Sequence, residues 1–354
     1  MEGPLWPPPN LDMANRFLQM ARTAFGNKNT ISNTFLSIDN PVSLTRTALR
    51  EQIGEQDYFV AHKADGTRFI LCLDYYKGNM NAAFVNRAGN VFMTFVRARK
   101  RLFQLGCVFD GEFCVCDNKT HYLVFNVLQF NGKSMLDKSY VERFNVVCEN
   151  FAPEPRSCDN GQPVWQIDSV LPNFFFWVKP TVSTTLFQNL PVPQFPSDGL
   201  IFTPANERVK TGRNEQLLKW KSCNTVDIGF QMVRKARQFR METWLDDDIT
   251  GKRVPLQPKY DVSLDSISNS TRGFILAQSM CPSLTWSGIF ECWCVVNPKP
   301  PHMLHVKHTR LDKFTANTPI TVQRTLQTIA ENITEEDIRE TCQQKMSGLL
   351  KKVL

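Results

Sequence analysis

Between residues 58 and 130 the chain is written almost wholly in strand-like segments, and no other feature constrains its fold as strongly. Aromatic and β-branched residues dominate 58–63, 68–75, 82–85, 90–95, 106–116 and 121–130, which predicts a sheet-dominated region. Helices are expected over 12–25, with Asp12 as N-cap, and around 138–151 and 183–190, while the proline-rich stretches 153–163 and 191–196 read as loops. Beyond residue 227 the texture changes: after the polar stretch 244–269, short apolar strands return around 274–277 and 289–296, a pattern suited to a small antiparallel barrel. From 318 onward the pattern is helical, with Thr334 capping 335–354. A chain of 354 residues exceeds one compact core of usual size and suits two domains.

One hexapeptide inside the strand region carries chemistry. Lys63-Ala64-Asp65-Gly66-Thr67-Arg68 follows an apolar run and delivers a lysine beside an acid, a turn-forming glycine and an arginine. Attack of an amine on phosphorus needs a neutral lysine, a cation that draws charge off the phosphate and a rigid approach. The same letters also make an ordinary hairpin turn, so the rest of the chain decides. Asp110-Gly111-Glu112 places two carboxylates inside an apolar strand, where a purely structural strand rarely has them. Phe125 lies at the centre of the buried-strand pattern 122–128, and Ser197-Asp198-Gly199 again leads an acid and a glycine into a strand. In Leu217-Leu218-Lys219-Trp220-Lys221 the period of two puts both lysines on one face, where they repel unless an anion lies between them.

In this order the segments resemble the covalent nucleotidyltransferases, the family of mRNA capping guanylyltransferases and ATP-dependent DNA and RNA ligases. Five of the family's motifs lie between Lys63 and Lys221, and the sixth is Arg310-Leu311-Asp312-Lys313. The form R-x-D-K followed by Asn317 is similar to the capping branch, as is the upstream Asn40-Pro41-Val42-Ser43-Leu44. The resemblance covers roughly residues 40–335. It implies an α+β fold: an antiparallel-sheet nucleotidyltransferase domain of the ligase type, ATP-grasp-like, over 1–226, an OB-fold barrel over 227–318, and a helical segment 319–354 packing back on the first domain.

The resemblance also implies roles. Lys63 would attack the α-phosphorus of GTP, expel pyrophosphate and become lysyl-GMP, which then passes to the 5′-diphosphate end of RNA. A free lysine, with a pKa of about 10.4, must become less basic to do so. Lys219 and Lys221 would bind the α-phosphate, Glu112 and Asp227 would serve a Mg²⁺ or Mn²⁺ ion or the ribose, and Arg68 and Arg87 would contact sugar and phosphates. Phe125 would stack on guanine, Lys179 would read its O6, and Asp198 would hold local structure or orient Lys63. Arg310 and Lys313 would engage the β- and γ-phosphates. Three positions depart from the family's pattern: Asn126 in place of aspartate, Ala316 in place of proline, and His308 in place of a second arginine.

Composition agrees with these expectations. A net charge of +7 favours an anionic partner such as nucleotide or RNA. The 11 cysteines, too sparse for a disulfide scaffold, read as thiols of a reducing, intracellular compartment, nucleus or cytoplasm, with viral origin open. Cys292, Cys294, His302 and His305 have poor spacing for structural zinc. No apolar run is long enough to span a bilayer, so no membrane partner is expected. Neither a cysteine-phosphatase motif nor a glycine-rich methyltransferase motif occurs, which points to a separate RNA triphosphatase and cap methyltransferase, with RNA polymerase a further candidate partner. The competing readings are an ATP-dependent polynucleotide ligase, which should lack R-x-D-K, and a catalytically silent RNA-binding scaffold, which need not keep Lys63, Glu112, Lys219 and Lys221.

Overall fold

The computed structural model describes residues 5–26, 36, 38–154, 166–235, 238–247, 249–257, 260–263, 287–299, 301–310 and 315–353. The chain forms two compact units, Met1–Trp220 with Glu336–Leu354, and Lys221–Glu335, against expected boundaries at 226 and 318. The architecture is mixed α+β and mainly sheet.

In chain order the strands of the first unit are β1 (Asp39–Ser43), β2 (Tyr58–Ala64), β3 (Thr67–Tyr76), β4 (Asn79–Asn86), β5 (Val91–Thr94), β6 (Val96–Ala98), β7 (Cys107–Cys116), β8 (Lys119–Phe130), β9 (Lys133–Ser134), β10 (Ile167–Ser169), β11 (Phe174–Val178), β12 (Thr181–Ser183), β13 (Ser197–Pro204) and β14 (Gly212–Lys221). The larger sheet has the order β11-β8-β7-β3-β4-β5, with β9 paired to β8, and the smaller one β1-β14-β13-β2-β12. Most pairs are antiparallel, but β11–β8 and β1–β14 are parallel.

Period-two alternation sorts the larger sheet into two apolar faces. Phe69, Leu71 and Leu73 of β3 pack with Phe84, Phe109, Phe113 and Tyr122 on one side. Ile70 and Cys72 pack on the other with Ala83, Val85, Val108 and Leu128, beneath Phe17, Ala21 and Ala24 of the helix Leu11–Ala24. A sheet covered on both faces reads as a continuous apolar run, which is why its strands are so legible. The N-cap of that helix is Asn10, whose Oδ1 accepts from Met13 N at 2.9 Å, and not Asp12, which sits in the first turn and accepts from Tyr76 Oη. The helix Tyr140–Asn150 begins in a capping box between Ser139 and Glu142. The segment expected as a helix at 183–190 is a 3₁₀ turn, Thr184–Asn189. The final helix, Glu335–Val353, lies with the first unit over nearly all its length, where Asp337 pairs with Arg46 at 3.4 Å.

The second unit holds β15 (Thr225–Lys235), β16 (Gln238–Asp246), β17 (Arg253–Pro255), β18 (Tyr260–Ser263), β19 (Ser287–Val295) and β20 (His302–Thr309), ordered β17-β16-β15-β19-β20-β18. Val226, Ile228, Phe230, Phe290, Leu304 and Val306 form its core. Val322 and Leu326 complete that core from the helix Pro319–Glu331, which therefore packs with the second unit. The strand expected at 274–277 lies outside the described residues. Among the described residues no helix is long and apolar enough to cross a membrane.

Candidate active site

Two close approaches position the site. The turn joining β2 to β3 runs so near β7 that a Cβ on Gly66 would lie 2.0 Å from the Phe113 carbonyl oxygen. On β7 itself, a Cβ on Gly111 would lie 2.6 Å from the Tyr122 ring, whose hydroxyl donates to Phe69 O at 3.1 Å and ties three strands together. Any side chain at either glycine would push these strands apart, so the glycines serve packing at least as much as turning.

Lys63 lies near the end of β2, opposite Gly199 of β13. The ladder is irregular between Ser197 and Gly199, which takes Asp198 out of register and brings its Oδ1 to 2.7 Å from Lys63 Nζ. Arg68, next to Glu112 across the β3–β7 ladder, makes a bidentate pair with the fully buried Asp110. Its third contact donates from Nη1 to Asp39 O at 2.6 Å. Burial opposes the Arg68 charge, but Asp110 outweighs it and raises the guanidinium pKa. Arg68 is thus held rigidly, with its charge largely committed to Asp110.

Lys63, Arg68, Glu112, Phe125 and Lys179 line one cavity of about 210 Å³, together with Asp39, Asn126, Ile201 and Leu217. The Phe125 ring is half-buried, with Lys179 Nζ 5.2 Å and the Arg68 guanidinium 5.5 Å from its centroid. Lys179 is 4% exposed, fixed by its backbone N–H to Val124 O at 2.8 Å, so it is no surface lysine. Burial lowers its pKa, against the pull of Glu112. Burial raises the Glu112 pKa, against Lys179, Lys63 and Arg68. The cavity therefore has an aromatic wall and four cationic side chains, Lys63, Arg68, Arg143 and Lys179, among three carboxylates, Asp39, Glu112 and Glu207, a lining that can take a flat base with an anionic tail.

Other residues expected at the site fall elsewhere. Arg87 is exposed in the turn after β4 and does not line the cavity. The cavity reaches β14 at Asn214 and Leu217, and Lys219 follows two residues on, paired in register with Ser43 of β1. Lys221 ends the same strand. In the second unit, Asp227 is buried and its Oδ1 lies 3.3 Å from Arg310 Nη1, with Glu291 3.7 Å from the same nitrogen. His308 Nε2 adds a contact to Glu291 at 3.2 Å. Asn317 holds Asp227 from both sides, its Oδ1 accepting from Asp227 N at 2.8 Å and its own N–H donating to Asp227 O at 2.7 Å. Lys313 lies outside the described residues.

Sequence reasoning missed several lining residues. Arg143, 3% exposed, donates to Asn126 Oδ1 at 2.8 Å and to Glu207 O at 2.9 Å. Asn126 thus acts as a neutral acceptor for a buried arginine whose own pKa burial lowers. Asp39 was missed too, and its carboxyl is pushed up to about 6 by burial, against Arg68. A carboxyl with a folded pKa above its ordinary 3.8 binds protons more tightly when folded, so its cost to stability sets in between pH 3.8 and about 6 and persists above. Asp39→Asn is therefore expected to stabilise the protein by about 3 kcal/mol at pH 8 and by nothing below about pH 4. Urea unfolding at the two pH values checks this, and equal gains at both would rule out ionisation as the cause.

The profile of the mRNA capping enzyme catalytic domain matches residues 13–223 of this chain. The "mRNA-capping enzyme" of Caenorhabditis elegans is 26% identical over 228 residues, covering 58% of this chain and 35% of that protein. The "mRNA-capping enzyme subunit alpha" of Saccharomyces cerevisiae is 26% identical over 223 residues, covering 54% of this chain and 47% of that protein. This chain's matches thus span a third to a half of the length of these curated relatives. Among solved structures, a mycobacterial DNA ligase D complexed with ATP and MES is 14% identical, with a TM-score of 0.40 over 78% of this chain and 95% of that one. A likeness that loose leaves the fold to be read from the sheet order above. Because the profile spans more than half of the residues and contains the whole lysine-lined cavity, this chain belongs to the mRNA capping enzyme catalytic domain family.

Proposed function

We propose that this chain transfers GMP from GTP, through a covalent lysyl-GMP on Lys63, to the 5′-diphosphate end of RNA. The observation that carries the reading is the position of Lys63, which lines a cavity with Glu112, Arg68, Phe125 and Lys179 while its Nζ is held 2.7 Å from Asp198. In the first step the amine lone pair forms a nitrogen–phosphorus bond at the α-phosphorus and the bond to the β-phosphate oxygen breaks, releasing pyrophosphate. The amine loses a proton, and Asp198 is the carboxylate placed to take it. Phe125 offers its half-buried face to guanine and Lys179 donates to O6. Lys219 and Lys221 neutralise the α-phosphate as charge shifts to the leaving group. In the second step a β-phosphate oxygen of RNA forms a bond to the same phosphorus, the nitrogen–phosphorus bond breaks, and the amine of Lys63 leaves with a proton returned from Asp198.

A divalent cation, Mg²⁺ or Mn²⁺, fits the donors present. Glu112 supplies one carboxylate in the cavity, and such an ion typically takes one or two carboxylates and completes its shell with phosphate oxygens and water. When bound it would offset the negative charge of the triphosphate. We read the second unit as an OB-fold domain whose Arg310 and Lys313 engage the β- and γ-phosphates, and Arg87 as a phosphate contact. Asp227, committed to Arg310 within its own unit, serves in this reading to hold that arginine ready. Arg310→Ala should then slow adduct formation far more than transfer from a preformed adduct, since the leaving pyrophosphate exists only in the first step. Single-turnover rates for the two steps test this, and a native adduct rate with failed transfer would contradict it.

The partners in this reading are GTP, diphosphate-ended RNA, a separate triphosphatase and a cap methyltransferase, with RNA polymerase as a further candidate, in the nucleus or cytoplasm. Labelling with radioactive GTP or ATP, followed by a denaturing gel, separates it from a ligase. Label from GTP alone is expected, and label from ATP alone would make the chain a ligase.

A further inference from the structure

The strongest feature outside the nucleotide cavity is a run of cations at the rim of the larger sheet. Arg97, Arg99, Lys100 and Arg101 fall within five residues, on β6 and the start of the helix Lys100–Leu105, and all four are exposed. None of the four is engaged in an ion pair with a described residue. Two carboxylates lie near: Asp168 opposes Arg97 in the β6–β10 ladder, and Glu149 lines an adjoining recess. Four cations against two acids leave this surface positive. The run also begins with an aromatic, because the same alternation that exposes Arg97 and Arg99 exposes Phe95 at 58%, with the Trp6 ring 4.5 Å away.

The recess gives the patch a second, independent signal. It is about 230 Å³, comparable with the lysine-lined cavity, and Arg99, Arg101, Asn131 and Asn150 lie on its wall. Asn150 is 1% exposed and uses its Nδ2 on Val146 O at 2.7 Å, while its Oδ1 has no partner among the described residues. Asn131 Oδ1 is buried and unpartnered in the same way. Buried amide oxygens without a donor are costly unless something supplies one, and a nucleobase edge or ribose hydroxyl can.

We propose that Phe95, Arg97, Arg99, Lys100 and Arg101 form a track for single-stranded RNA that runs into the recess at Asn131 and Asn150. Cations along the backbone together with an exposed ring are the two components by which proteins hold single strands without reading sequence, since phosphates pair with the cations and a base stacks on the ring. A phosphorylated peptide could pair with the cations, but it has no use for the exposed Phe95 ring or the buried amide oxygens, so RNA is the better fit. The inference rests on the guanylyltransferase reading only in naming RNA as the polymer. It gives that reading a body-binding surface distinct from the site that receives the RNA 5′ end.

The test is fluorescence anisotropy with diphosphate-ended RNAs of about four and about twenty nucleotides, lengths that bracket a short and an extended single-strand site. The intact chain is compared with a variant carrying Arg97→Ser, Arg99→Ser, Lys100→Ser and Arg101→Ser, and with Phe95→Ala. The longer RNA should bind the quadruple variant at least tenfold more weakly, with a salt slope shallower by about 3, near 0.7 for each lost phosphate contact. Phe95→Ala should weaken binding about tenfold with the salt slope unchanged. Both variants should label with GTP at the parent rate, because every substituted residue lies outside the nucleotide cavity. Unchanged affinity and salt slope in the quadruple variant would overturn the proposal. So would loss of binding to a phosphoserine peptide with RNA binding intact. If even the parent chain fails to label with GTP, the proposed function fails, while the RNA comparison still decides the track by itself.

Discussion

Lys63→Ala is expected to form no GMP adduct at any time of incubation with Mg²⁺ and labelled GTP. The other lysine on the cavity wall cannot replace it: Lys179 is 4% exposed and faces Glu112 and the Phe125 ring. The loss cannot be blamed on unfolding either, because the Lys63–Asp198 pair is 22% and 29% exposed, and partly exposed pairs of this kind contribute under about 1 kcal/mol. Lys63→Arg should be equally dead, since a guanidinium keeps the charge and the contact with Asp198 but stays protonated and cannot attack. In the parent chain the adduct should be acid-labile and alkali-stable, the behaviour of a phosphoamide. Undiminished labelling of Lys63→Ala would sink the nucleophile assignment.

Lys219→Ala and Lys221→Ala should each slow adduct formation by about a hundred- to a thousandfold, the usual 3 to 4 kcal/mol for removing one preorganised donor from a site where charge develops. The backbone of Lys219 is fixed: it pairs with Ser43 in the parallel β1–β14 ladder, and its carbonyl accepts from Leu44 N at 2.8 Å. That pairing places the P-V-S-L segment, far upstream in sequence, beside a lysine near residue 220. It supplies the edge strand that fixes where β14 runs. Rapid-quench labelling of both variants, with circular dichroism to verify the fold, measures the effect. Near-parent rates in both would mean that this face of β14 does not serve the phosphate.

How legible the fold was depended on burial. The six segments read as strands between residues 58 and 130 all appear, and β3 and β7 fall within a residue of their expected ends because both faces of the larger sheet are covered and their apolar run is unbroken. The β15–β16 hairpin escaped notice although Val226, Ile228 and Phe230 alternate in period two, since the surrounding charges hid a signal only one face carries. Asn10 and not Asp12 caps the first helix because its side chain reaches Met13 N, whereas Asp12 already lies in the first turn. The cavity was half legible. Lys63, Arg68, Glu112, Phe125 and Lys179 come together as an ordered motif set would require. Asp39, Arg143 and Asn214 gave no signal, since each owes its place to strands and helices distant in sequence. Buried polar partners of that kind become visible only once the chain is folded.

The most direct test of the central claim is to find which residue carries the nucleotide. The chain is incubated with GTP and Mg²⁺, digested with trypsin at alkaline pH to preserve the phosphoamide, and analysed by mass spectrometry. A GMP group on Lys63 blocks cleavage there, so the modified product should be the single peptide spanning residues 51–68, heavier by one GMP, with fragment ions placing the added mass on Lys63. A GMP group found on Lys179, Lys219 or any other residue, with the Lys63 peptide cleaved normally, would contradict the account.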